Sequence, residues 1–115
     1  VYETVRAANE AAEAMIRPGI PMKDIDATAR KVIADAGYGP YFTHRLGHGC
    51  GLECHEPPDN SSACEVLTRP GMVFSVEPGI YLPGKLGVRV EDLVLVTETG
   101  CEVLNAYPKD LLVVE

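Results

Sequence analysis

Gly47-His48-Gly49-Cys50-Gly51-Leu52-Glu53-Cys54-His55-Glu56-Pro57-Pro58 sets two imidazoles, two carboxylates and three glycines within twelve residues. Glycine at alternate positions lets the backbone adopt conformations closed to other residues and approach neighbours closely. His48 and His55 lie seven positions apart, so on a straight strand their side chains would face opposite ways. For both to point into one site, the chain must bend between them. Working outward, two more carboxylates sit in strand-like segments: Glu77 in Val73-Phe74-Ser75-Val76-Glu77-Pro78-Gly79 and Glu91 in Val88-Arg89-Val90-Glu91-Asp92. A carboxylate inside an apolar strand is costly unless it is paired, exposed or bound to a cation. For either acid alone, an exposed face or an ion pair with Arg89 is the simpler account. Joined by a glycine-flanked histidine, His48, Glu77 and Glu91 become a nitrogen–oxygen donor set suited to a metal.

The flanking segments suggest the scaffold. Val1, Val5, Ala8, Ala12, Met15 and Ile16 recur at helical spacing over 1–17, with Glu3, Arg6, Glu10 and Glu13 mostly off that face, until Pro18-Gly19 stops the pattern. A second helix is expected from Met22 to Ala36 on Ile25, Ala29, Val32 and Ile33, with Gly37 as its left-handed terminator. Neither helix carries evident chemistry; both read as cover for a sheet. Residues 57–62 read as a loop. Met72–Glu77, Ile80–Leu82 and Val88–Val96 read as strands, the last a single alternating run in which Asp92 faces away from Glu91. Antiparallel pairing of the first and last would bring Glu77 and Glu91 onto one face. Val103-Leu104 and Leu111–Val114 are short terminal strands or a strand and tail. Helices first and strands after give an α+β class.

Composition narrows the function. A chain of 115 residues is one domain or a piece of one, and 46% hydrophobic content excludes disorder as the default. A net charge of −7 argues against nucleic acid or an anionic membrane as partner. No apolar run spans a membrane and no signal-peptide pattern occurs. The sequence opens on Val1 rather than methionine, which leaves processing or origin in a longer product open. Cys50, Cys54, Cys64 and Cys101 read as reduced, apolar-like thiols of a cytoplasmic protein. A zinc knot built from His48, Cys50, Cys54 and His55 is the rival, but it lacks a second ligand pair at zinc-ribbon spacing.

Two divalent cations about 3.5–4 Å apart could share Glu91 and activate a water between them. His48 would donate to one, leaving His55 free to act on the substrate or on developing charge. His44, four residues before His48, is open to a substrate-site role or none. One histidine and two glutamates are too few to hold two metals.

These same residues carry a resemblance. His44-Arg45-Leu46-Gly47-His48 through Pro58, then Met72–Tyr81, then Gly87–Asp92, resemble in order and spacing the C-terminal part of the aminopeptidase P/prolidase family, whose fold is the pita-bread fold of metallopeptidases. The resemblance covers essentially all 115 residues. It implies a partial pita-bread architecture, two N-terminal helices packed on a curved, mainly antiparallel sheet, with residues 1–115 the C-terminal portion of the catalytic domain. It implies His48, Glu77 and Glu91 as metal ligands, Glu91 bridging, and His55 as the histidine that contacts substrate and stabilises the intermediate. His44, Tyr81 and Arg89 match the proline-specific branch and become substrate-site candidates. The cofactors implied are two divalent ions, manganese first, with cobalt, zinc or iron as alternatives. The reaction implied is hydrolysis of the bond before proline in short peptides.

One departure follows: the family draws two further ligands from aspartates on strands that would precede the first helix. Residues 1–115 alone are therefore expected to be catalytically incomplete, with a half-open sheet edge that invites a homodimer. The rivals are a creatinase-like carbon–nitrogen hydrolase and an inactive pita-bread module that binds peptides or proteins.

Overall fold

The structure is a computed structural model, and residues 1–49, 56–60, 64–105 and 109 are described, 56–60 by backbone alone. Helix α1 runs Tyr2–Met15 and α2 Met22–Asp35, close to the expected limits, with Gly37 at φ 91° ending the second. Strands β1 (Gly47–Gly49), β2 (Glu56–Asn60), β3 (Val73–Val76), β6 (Asp92–Val96) and β7 (Cys101–Val103) form a sheet ordered β2-β1-β3-β6-β7; β4 (Gly79–Leu82) and β5 (Leu86–Arg89) form a separate pair. Every strand pairing in both sheets is antiparallel. One core joins Val5, Ala8 and Ala12 of α1 and Ile25, Ala29 and Ile33 of α2 to Leu46, Phe74, Val76, Ile80 and Val94.

Two expectations need correcting. The run Val88–Val96 is not one strand: it breaks at Val90-Glu91, where the chain leaves the two-stranded sheet and enters the five-stranded one. The partner chain breaks at the matching place, Glu77-Pro78, because Pro78 has no N–H to continue the ladder. Val76 pairs with Asp92 and Gly79 with Arg89, and Val90 N–H donates to Pro78 O, so Glu77 and Glu91 both fall in the break. Alternation still holds within β6, where Asp92, Val94 and Val96 are buried.

Residues 57–60, expected within a loop, belong to strand β2 (Glu56–Asn60) at the edge of the described sheet. The ladder pairs His48 with Asp59 and Gly49 with Glu56, leaving Pro57 and Pro58 as the irregularity between them. Prolines are tolerated there because an edge strand spares one row of N–H groups.

The helices do more than cover the sheet. Orphan N–H groups at the start of α2 are taken by the loop before β3: Met22 N–H donates to Val66 O and Lys23 N–H to Cys64 O. Buried Asn9 donates from Nδ2 to Val76 O (3.2 Å), tying α1 to the end of β3. Glu13, expected off the apolar face, is nearly buried and pairs with Lys109, whose ammonium also meets Asp92 at 2.8 Å. Burial, reinforced by a hydrogen bond with Asp92 and opposed by Lys109, pushes the Glu13 carboxyl up to about 7. Burial acts upward on Asp92 too, yet hydrogen bonds with Glu13, Lys109 and Asn105 outweigh it and hold Asp92 below its ordinary value. We read this as a proton shared between Glu13 and Asp92 beside one ammonium.

This sharing sets a pH dependence. Glu13 binds its proton more tightly folded than unfolded, so its stabilising contribution is complete below its ordinary value of 4.5 and is lost as pH rises to about 7. The lowered Asp92 acts only in stronger acid, and Lys109, raised from 10.5, only in stronger base. Denaturant titrations across this window should show the native protein losing roughly 1–2 kcal/mol relative to Glu13→Gln, which keeps a neutral donor. Parallel pH profiles for the two proteins would refute the shared proton.

Candidate metal and substrate site

Gly47 brings β1 unusually close to β3: a Cβ there would overlap the Ser75 carbonyl oxygen. The close seam is fastened by His48 N–H donating to Ser75 Oγ (3.0 Å) and Glu77 N–H donating to Leu46 O (2.8 Å). His48 and Glu77 are thereby set side by side, with His48 Nε2 3.6 Å from Glu77 Oε2. His48 Nδ1 lies 3.1 Å from Gly49 O. A carbonyl only accepts, so Nδ1 carries a proton, and in the neutral ring the Nε2 lone pair lies on the side of Glu77. Glu77 is only 13% exposed, and its Oε2 is buried with no hydrogen-bond donor among the described residues. A buried, unsatisfied carboxylate oxygen is unfavourable. With an imidazole lone pair beside it, the donor set fits a divalent cation.

The remaining candidates divide. Glu91 stands at the neighbouring break and is 48% exposed, on the side away from buried Asp92, as expected. Arg89 reaches both acids, 3.9 Å from Glu77 and 3.8 Å from Glu91, which makes it the counter-charge of the carboxylate pair. Among the described residues no three His, Cys, Asp or Glu side chains converge closely enough to hold an ion. The structure therefore brings His48 and Glu77 together and leaves Glu91 beside them, linked through Arg89. His55, Cys50 and Cys54 lie outside the described residues, as does the zinc-knot alternative; Cys64 and Cys101 are free thiols.

His44 and Tyr81 meet directly. His44 Nδ1 is 2.6 Å from Arg45 O, so Nδ1 is the donor, and in the neutral ring Nε2 accepts the Tyr81 hydroxyl proton at 2.8 Å. The Tyr81 ring lies over two glycines: a Cβ at Gly79 would come within 2.5 Å of the tyrosine oxygen and one at Gly87 within 3.0 Å of its ring. Phe42 meets the His44 ring edge-on at 5.2 Å.

Sequence reasoning missed what anchors this loop. Asp26 and Arg30 of α2 form a two-pronged ion pair (3.0 and 3.2 Å), with Asp26 fully buried. An aspartate bordering the Ile25/Ala29/Ile33 stripe, four positions before an arginine, was the available signal.

The sequence profile of metallopeptidase family M24 matches residues 1–98, and the chain belongs to that family. A Staphylococcus aureus (strain USA300) protein named as an uncharacterized peptidase is 54% identical over 109 residues, which are 95% of this chain and 31% of that protein. Among solved structures, the prolidase from Pyrococcus horikoshii OT3 superposes with a TM-score of 0.96 at 46% identity, over 97% of this chain and 32% of the other. The Xaa-Pro dipeptidase from Bacillus anthracis gives 0.97 at 42% identity, over 99% and 32%. The fold is the expected pita-bread arrangement, and the chain spans about a third of the length of the relatives it matches. Membership in a metallopeptidase family implies divalent metal ions. No described helix is long and apolar enough to cross a membrane.

Replacing Gly79 with alanine should displace the tyrosine ring while leaving the core intact. A stability change of about 1 kcal/mol or less is expected, with loss of the His44–Tyr81 hydrogen bond in a crystal structure. An unchanged 2.8 Å contact in Gly79→Ala would show that the glycine floor does not seat the ring.

Proposed function

We propose that residues 1–115 are the C-terminal portion of the catalytic domain of a dinuclear-metal Xaa-Pro peptidase, which hydrolyses the bond before proline in short peptides. The observation that carries this reading is the buried, hydrogen-bond-deficient Oε2 of Glu77 facing His48 Nε2 at 3.6 Å, within a chain of metallopeptidase family M24. Relatives named prolidase and Xaa-Pro dipeptidase support the choice of substrate.

In this reading His48, Glu77 and Glu91 would hold the metal ions, with two aspartates from outside residues 1–115 needed to complete the set. The bound ions, manganese first, would polarise the scissile carbonyl and activate the attacking water. His55 stabilises negative charge developing on the carbonyl oxygen. His44, held as the Nδ1–H tautomer against Tyr81, faces the substrate. Arg89 balances the charge of Glu77 and Glu91 and orients them. The free thiols Cys64 and Cys101 suit a reducing, cytoplasmic setting. Exposed Val103 and Leu104, in and just after β7, the outermost strand among the described residues, offer a place for a second copy to pair.

The test is hydrolysis of Xaa-Pro dipeptides and longer Xaa-Pro peptides by the full-length polypeptide, with Mn²⁺ and with a chelator. Cleavage that the chelator abolishes and Mn²⁺ restores is expected. Glu77→Gln should reduce it by at least about a hundredfold through loss of a ligand. Absence of cleavage by folded, metal-loaded protein would overturn the proline-peptidase assignment.

A further inference from the structure

We infer that the Asp26–Arg30 pair of α2 is a positioning device for His44, holding the substrate side of the site without touching substrate itself. The inference rests on the proposed role of His44.

Three alternate residues of the loop before β1 are tied to this one ion pair. Arg30 Nη1 donates to Phe42 O (3.0 Å), Arg30 Nη2 donates to His44 O (3.0 Å), and Leu46 N–H donates to Asp26 Oδ2 (3.0 Å). The guanidinium also stacks on Phe42, 4.1 Å from the ring centre, and Phe42 in turn abuts the His44 imidazole. His44 is thus fixed through its carbonyl by Arg30, through its ring by Phe42, and through Nε2 by Tyr81.

Plain structural cement would not need this geometry. The planar fork of arginine serves a carboxylate and two carbonyls at once, which a lysine ammonium cannot reproduce. Asp26 is fully buried, and its charge is offset by Arg30 and the Leu46 amide. Leu46 also accepts the Glu77 amide, so the same pair borders the metal side without contacting a ligand side chain. The pair acts on His44 because its three loop contacts include that residue and flank it on both sides.

The test is a double-mutant cycle in the full-length, metal-loaded polypeptide, using Arg30→Lys to keep Asp26 paired and Arg30→Met as the stronger variant. Arg30→Lys is expected to lower kcat/KM for an Xaa-Pro dipeptide about tenfold through misplacement of His44. In a His44→Ala background the same change should cost less than about twofold, because the residue it positions is gone. Mn²⁺ affinity should change less than about twofold. Independently of activity, imidazole ¹⁵N spectra should show His44 leaving its Nδ1–H tautomer in Arg30→Lys while His48 keeps its own. Equal losses in both backgrounds, or an unmoved His44 tautomer, would overturn the positioning role. An inactive wild type whose His44 tautomer still depends on Arg30 would leave the clamp standing and reject only the peptidase reading.

Discussion

The hydrogen bond from Glu77 N–H to Leu46 O is the point on which the site depends. It joins the first residue after β3, already in the break, to the residue before β1, and so sets His48 and Glu77 side by side. On the other flank, Val90 N–H to Pro78 O carries the pairing across the break. Two strands interrupted at the same level leave a step in the sheet. Glu77 and Glu91 occupy that step, where neither is committed to a ladder and both can turn to one side.

A cluster of acids at such a step is unstable by itself, and the chain compensates from both faces. On the site face, Arg89 lies between Glu77 and Glu91. On the opposite face, Lys109 lies between Glu13 and Asp92, and Asn9 fastens α1 to the carbonyl just before Glu77. Neighbouring acids Glu91 and Asp92 therefore answer to different cations on different sides of β6. The buried Asp92 serves packing, and the exposed Glu91 is the one proposed to meet the metal.

Much of this was legible beforehand, and for physical reasons. The helices announced themselves by periodicity, and the antiparallel pairing of β3 with β6 followed from two alternating runs. The break at Val90-Glu91 was hidden because valine on both sides kept the alternation intact; Pro78 on the partner strand was the clue. Strand β2 was hidden by its two prolines, which look like loop in any window but are harmless on an edge. The Asp26–Arg30 clamp and the Glu13–Asp92 pair were missed because a helical acid next to an apolar stripe reads as a solvated face, and only tertiary packing reveals what covers it.

Gly47 has no side chain, yet it sets how near His48 can come to Glu77. Every missense change in a glycine codon adds at least a Cβ, and here that atom would meet the Ser75 carbonyl. The strands would part, and the separation of His48 from Glu77 would change without either being altered. The mutational target of this site is therefore wider than its chemistry, and part of its inherited constraint falls on a residue that takes no part in any reaction.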